Sequence, residues 1–219
     1  GMGSEFRKVM RDIDSYVERY DSWYERHAPV YQSELLALER LIPKEGLGLE
    51  VGVGTGRFAG PLGIRVGLDP SLPYLRLAKE RGVEVVRGVG EELPFKDEAF
   101  DFVALILVLA FAKEPRKFIR EARRVLKRGG HLIVSIVPAD SPWGRYYRER
   151  GKRGHPIFRH VRLLKVSELE NVLREEGFEV QEWVSTLYTP PLEKERVEKP
   201  IVGRKDGSFV CVKAAKLSR

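Results

Sequence analysis

The sequence predicts an α/β fold in which parallel strands alternate with helices, with an N-terminal helical cap and a last strand free to run antiparallel. Three observations carry this. Between about residues 47 and 177, apolar runs of strand length alternate with stretches of helical period. The last two runs, 178–185 and 208–214, have no helical segment between them, and a helix-free connection suits an antiparallel pair. Residues 5–41 keep a helical period, so helices precede the first strand.

In the cap, Val9, Ile13, Val17, Tyr20 and Tyr24 recur every three or four residues, and Leu35, Leu38, Leu41 and Ile42 form a second apolar face. Pro43 and Gly46 end it. The first strand is expected at about 47–52. The helix after Gly56 must be short, because Gly60-Pro61 interrupts it. A second strand covers about 64–69. Ser71 is placed to cap a helix that stops at Gly82. Val83 to Val86 is a third strand, and Phe100 to Leu109 is apolar enough to be a central strand buried on both faces. A helix over about 115–127 should stop at Gly129-Gly130, and His131 to Val137 is another buried strand. Ser167-Glu168-Leu169-Glu170 reads as a capping box for a helix ending at Gly177. Residues 189–207, with three prolines and many charges, read as a loop. The expected division is a cap at 1–44 and a domain at 45–219, with a basic, aromatic insertion at 139–166.

Composition narrows the function. The chain has 219 residues and a net charge of +7. Residues 145–165 hold eight basic side chains and one acid, Glu149, so that segment alone carries the whole excess. This points to a solvated basic face or to attraction of an anionic small molecule or nucleic acid. The lone cysteine, Cys211, excludes a disulfide framework and a cysteine-based metal site. No apolar stretch is long enough to span a membrane, and the N-terminus lacks signal-peptide order. A cytoplasmic protein is expected. Scarce amides (Gln32, Asn171, Gln181) beside abundant Lys, Arg and Glu suggest a thermophilic source. Residues 1–4, Gly-Met-Gly-Ser, read as an expression remnant.

The most informative stretch is Gly48-Leu49-Glu50-Val51-Gly52-Val53-Gly54-Thr55-Gly56, followed by a second apolar run ending in Asp69. Glycines let the backbone turn sharply beside a ligand, and an acid at the next strand tip can accept hydrogen bonds from ribose hydroxyls. That is a nucleoside pocket across two neighbouring strands. A dinucleotide site wants its third glycine one position later, where Arg57 stands, and an unbroken helix beyond it. Both departures argue for a single nucleoside.

The strings 50–56, Gly67-Leu68-Asp69-Pro70-Ser71, 88–95 (Gly-Val-Gly-Glu-Glu-Leu-Pro-Phe), Phe100-Asp101-Phe102-Val103 and 124–132 follow one another in register. Together they resemble the class I S-adenosylmethionine-dependent methyltransferases, most closely the type 11 branch, over about residues 45–137. The resemblance implies a Rossmann-like, seven-stranded, mostly parallel sheet with helices on both faces and an antiparallel last strand. It implies S-adenosyl-L-methionine as cofactor. Gly52, Val53, Gly54 and Gly56 would cradle its methionine part, with Glu50 near the ammonium. Asp69 would hold the ribose, Pro70 would lie against adenine, and Gly90 and Glu91 would border its edge. The backbone at Ile106 would close over the methionine end. Val89 stands where the family commonly has an Asp for the adenine amino group, leaving backbone groups or Glu91 as substitutes.

Methyl transfer from a sulfonium is a direct displacement, so alignment and exclusion of water matter most. Aromatic faces tolerate the cationic methyl. Two aromatic regions are available as a lid: Tyr16, Tyr20, Trp23, Tyr24, Tyr31 and His27, and Trp143, Tyr146, Tyr147, Phe158, His155 and His160. In the family both usually cover the cofactor cleft. Tyr20 and Tyr24 are the expected cofactor-side contacts. His155 and His160 are the candidate bases for an acceptor protonated at neutral pH. His131 reads as structural, and Asp101 starts its strand, at the wrong end of the sheet for chemistry. After the fourth strand the chain is apolar and lacks an Asn-Pro-Pro-Tyr signature, which disfavours methylation of nucleic acid bases. No His/Asp/Glu cluster has metal-ligand spacing. The expected acceptor is a small molecule, with an anionic one suggested by 145–165. The alternative is an RNA-binding protein or RNA methyltransferase using that segment.

Overall fold

The computed structural model describes residues 3–218. Three helices come first: α1 (Ser4–Ser15), α2 (Val17–Arg26) and α3 (Ala28–Glu39). Breaks at Tyr16 and His27 divide the expected helical stretch. Alternation then runs β1 (Gly48–Val51), α4 (Ala59–Leu62), β2 (Val66–Asp69), α5 (Leu72–Glu80), β3 (Glu84–Arg87), β4 (Phe100–Ile106), α6 (Pro115–Val125) and β5 (Leu126–Ile136). The remainder is α7 (Pro142–Lys152), α8 (Val166–Glu175), β6 (Phe178–Thr186), β7 (Ile201–Val202) and β8 (Phe209–Lys216).

One Rossmann-like sheet results, ordered β3-β2-β1-β4-β5-β8-β6-β7. The pairs among β1 to β5 are parallel, and β8 lies antiparallel between β5 and β6. The strand count is eight rather than seven, because Ile201 and Val202 pair with Ser185 and Val184 at the sheet edge. Two residues inside a charged, proline-containing connection give no periodicity to read, so the sequence shows only a loop there. Chain order reverses between β1 and β4, which opens a crevice at the carboxyl ends of those strands.

The sheet separates two cores. On β4, Phe102, Ala104 and Ile106 enter one core while Val103 and Leu105 enter the other, the two-residue alternation of a strand covered on both faces. Helices α2, α3, α5 and α7 cover the first face through Tyr24, Leu38, Leu75 and Trp143. Helices α6 and α8 cover the second through Phe118, Ile119, Leu169 and Leu173.

Three expected boundaries move. Strand β4 ends at Ile106 rather than Leu109, because Leu107 turns left-handed at φ +60° and leads into a helical turn. Helix α6 stops at Val125, and Gly129-Gly130 lies inside β5, where pairing with β4 jumps from Leu126 to His131. Gly129, at φ +73°, takes the turn within that irregularity. The cap of α8 also sits earlier than expected. Lys165 is its N-cap, and the Lys165 N–H donates to Glu168 at 2.9 Å, so Ser167 is already helical. Among the described residues no helix is long and apolar enough to cross a membrane.

Candidate active site

The glycine turn sits in the crevice at the β1 tip. Gly52, Gly54 and Gly56 all have positive φ (77°, 56° and 82°). The Gly52 and Val53 N–H groups both donate to the Leu68 carbonyl of β2, at 2.8 and 3.0 Å. Asp69 then ties the two strand tips together: its Oδ2 accepts from Gly54 N–H at 2.9 Å and its Oδ1 from Ser71 N–H at 3.0 Å. Each oxygen keeps a further lone pair for a ligand.

Glu50 is buried at 1% exposure, and its Oε1 has no hydrogen-bond partner. Burial pushes its carboxyl well above the usual range and the neighbouring Asp69 charge adds to this, while the Ala59 backbone draws it back. Burial likewise raises Asp69 to about 6 against the pull of the Ser71 and Gly54 N–H groups. No Lys, Arg or His is among the groups that set either protonation. A buried acid with an orphaned oxygen is unfavourable unless something completes it. S-adenosylmethionine carries an ammonium and a sulfonium, and this donor-seeking acidic site fits it.

Asp69 predicts a pH dependence. Its folded carboxyl keeps a proton up to about 6, against an ordinary value of 3.8. The stability it contributes to the ligand-free protein is therefore full below the ordinary value and lost as pH rises through the folded one. Ribose hydroxyls donate to the ionised form. Cofactor affinity should then weaken as pH falls below 6, by up to roughly tenfold per unit. Calorimetric titration with S-adenosylmethionine between pH 5 and 8 checks this.

The cap reaches the turn through α2. The Tyr20 hydroxyl lies 3.5 Å from where a Cβ on Gly54 would stand, and it bonds the Tyr24 hydroxyl at 2.8 Å. Tyr24 is buried and packs edge-on to Phe58 and Tyr31. Helix α2 is pinned by Asp21, which accepts from the guanidiniums of both Arg57 and Arg81 at 3.0 Å. Burial pushes Asp21 up, but the two guanidiniums outweigh it and hold the carboxyl down at about 2. Arg57, which occupies the place of a dinucleotide glycine, is thus a clamp between turn and cap.

Other candidates surround this centre. Pro70 follows Asp69, and its carbonyl accepts from Arg87 at 3.1 Å. Gly90 is buried where a Cβ would fall 2.3 Å from the Phe118 ring. Val89 and Glu92 form an isolated antiparallel bridge around Glu91, which is half-buried. Ile106 ends β4, and Leu107 beyond it has φ +60°, a left-handed conformation that costs energy in a non-glycine residue. It directs Val108 against the turn, 2.2 Å from a would-be Cβ on Gly52.

The two histidines lie in the contacts between α1 and the basic segment. His155 Nδ1 accepts from both Ile157 and Phe158 N–H at 3.1 Å. The ring is therefore the Nε2–H tautomer, and that N–H meets the Tyr16 hydroxyl at 3.2 Å. Burial, Arg150 and Arg19 push this imidazole down to about 4. His160 Nε2 lies 2.8 Å from Asp12, which also pairs with Arg159. Asp14 of the same helix accepts from Ser71 Oγ at 2.6 Å.

Sequence reasoning missed Asp21, Arg81 and Glu34. For Glu34 a signal existed: it interrupts an apolar stripe at Val30, Leu38 and Leu41, where i and i+4 spacing puts a carboxyl on the buried face. For Asp21 and Arg81 there was none, since surface helices carry many such charges.

Comparison with known proteins agrees with this geometry. A family model described as a methyltransferase domain matches residues 49–134. An uncharacterized protein of Methanocaldococcus jannaschii is 42% identical over 95% of this chain and 100% of its own length. A crystal structure from Thermotoga maritima, described as an SAM-dependent methyltransferase and possible histamine N-methyltransferase, superimposes with a TM-score of 0.89. It shares 38% identity and is covered over 99% of its length and 95% of this chain. A demethylmenaquinone methyltransferase of the same organism is 30% identical over 82% of this chain and 92% of its own. With a glycine turn and paired acids at the switch point and relatives of this kind along its length, the chain belongs to the class I S-adenosylmethionine-dependent methyltransferases, in the type 11 branch.

Proposed function

We propose that this methyltransferase acts on a small-molecule acceptor, held between the glycine turn and a lid made by the N-terminal helices and residues 139–166. The observation that carries the reading is the Tyr20 hydroxyl beside Gly54, bonded to the Tyr24 hydroxyl, with Glu50 buried on β1 and Asp69 half-buried at the β2 tip. An enclosure roofed by two phenols suits a compact acceptor better than a polymer. The bound cofactor supplies a methyl group already activated on a sulfonium. The chain's own part is to align the acceptor, exclude water and surround the charge with aromatic faces. Alignment of this kind is worth about 7–11 kcal/mol in favourable cases.

The expectation of an anionic acceptor rested on residues 145–165. Arg145, Arg148, Arg150, Lys152 and Arg153 of that segment are exposed, Arg153 pairs with Glu149, and Arg159 pairs with Asp12 of α1. Of these charges, Arg159 alone reaches α1, and it supports a role in seating the cap. The acids Glu34, Glu50 and Asp69 are what the interior offers, and they favour an uncharged or cationic acceptor. His155, with both ring nitrogens engaged, is assigned here to holding the lid rather than to proton removal. We place the protein in the cytoplasm.

Calorimetric titration with S-adenosylmethionine, NADH and a generic RNA tests the reading. Heat is expected with the first alone. Salt-sensitive RNA binding without cofactor binding would overturn it in favour of a nucleic-acid scaffold.

A further inference from the structure

Glu34 is a second buried acid that the cofactor site does not use. It lies on α3 at 4% exposure, and its Oε1 has no hydrogen-bond partner. The helix that carries it shares one core cluster with Tyr24, with Val53 of the glycine turn and with Ile106 of β4. The Glu34 charge is felt by Tyr20 and Tyr24 of α2 and by Tyr147 of α7, and Tyr20 also feels Glu50 and Asp69. The Tyr20 and Tyr24 hydroxyls already satisfy each other at 2.8 Å and leave Glu34 Oε1 without a donor. One turn before and one turn after Glu34 on α3, Val30 and Leu38 enter a core cluster with Tyr24 and Cys211, against which Tyr147 packs.

We propose that Glu34 is the acceptor-recognising carboxylate of this enzyme and that the acceptor is an amine. The inference rests on the reading of a small-molecule methyltransferase. A carboxyl kept buried without a partner persists when a ligand completes it, because left alone it only costs stability. The cofactor's ammonium is assigned to Glu50 and its ribose hydroxyls to Asp69, so a third acid calls for a third donor. An ammonium supplies N–H donors to Glu34, and the faces of Tyr24 and Tyr147 accept its charge. Burial lifts the Glu34 carboxyl to about 8, within reach of proton exchange with an amine.

The step balances. Glu34 as carboxylate takes one proton from the ammonium, freeing the nitrogen lone pair. That pair forms the N–C bond while the C–S bond breaks and its electrons pass to sulfur. The positive charge moves from sulfur to the methylated nitrogen, and the Glu34 proton leaves to solvent.

The test uses the full chain saturated with S-adenosylhomocysteine and titrated with 2-phenylethylamine or 3-phenylpropionate, a cation and an anion of similar shape. The amine is expected to bind and the carboxylate not. Glu34→Gln should weaken amine binding at least tenfold while leaving S-adenosylhomocysteine affinity unchanged. Glu34→Leu should abolish amine binding yet melt at a higher temperature than the parent, since it removes an unpartnered buried carboxyl. Tighter binding of the carboxylate, unaltered amine binding in Glu34→Gln, or a lower melting temperature in Glu34→Leu would overturn the proposal. Failure of S-adenosylhomocysteine to bind the parent protein would instead sink the methyltransferase reading beneath it.

Discussion

Replacing Asp69 with alanine is expected to raise the Kd for S-adenosylmethionine about 100-fold, the largest effect of any single side chain in the site. The residue does two things. Its oxygens hold the Gly54 and Ser71 N–H groups at 2.9 and 3.0 Å, which fixes the turn relative to the β2 tip. Its remaining lone pairs are free to accept from the ribose hydroxyls expected there. Hydrogen bonds to a charged acceptor are worth roughly 1.5–3 kcal/mol each, so losing two of them costs about 3 kcal/mol or more of binding. Asp69→Asn keeps the size and one acceptor oxygen and should lose about tenfold. Isothermal calorimetry at pH 7.5 separates the two variants. Undiminished binding by Asp69→Ala would remove the nucleoside pocket from this strand tip.

The second large effect concerns stability. Gly56 has φ +82°, and a Cβ there would stand 2.9 Å from the Ala78 Cα of α5. A left-handed alanine costs about 1–2 kcal/mol by itself. Here the contact is with helix backbone, which does not move aside cheaply, so Gly56→Ala should lose about 3 kcal/mol. Gly63 is the control: φ is +70°, but nothing lies within 4 Å of its would-be Cβ. Gly63→Ala should therefore lose only the conformational part, about 1 kcal/mol. Urea unfolding of the two variants measures the difference, and equal midpoints would show that the turn is free to shift away from α5.

The fold and the glycine turn were legible in the sequence because they rest on local causes. Positive φ at Gly52, Gly54 and Gly56 needs glycine whatever surrounds it. The apolar run of β4 shows by itself that both faces are covered. The antiparallel β8 was legible from a missing helix. Boundaries were less so. Gly129-Gly130 signals a turn equally well after a helix or within an irregular strand, and the pairing of β4 with β5 chose the second. Ser167 and Glu170 have capping-box spacing, yet the helix already starts at Val166 and Glu168 accepts from the Lys165 N–H, so Ser167 falls inside it.

The sequence by itself determined the parallel sheet, the glycine turn and the acid at the next strand tip, because each is written in residues that are neighbours in the chain. Only the tertiary structure decided how the site is roofed and what lines it. Asp21 meets Arg57 and Arg81 and Asp12 meets His160, across separations of 36 to 148 residues, and Glu34 is buried on α3. A charge in an amphipathic helix is free to face solvent or a partner. Which it faces depends on what packing brings opposite it, and that is a property of the folded chain.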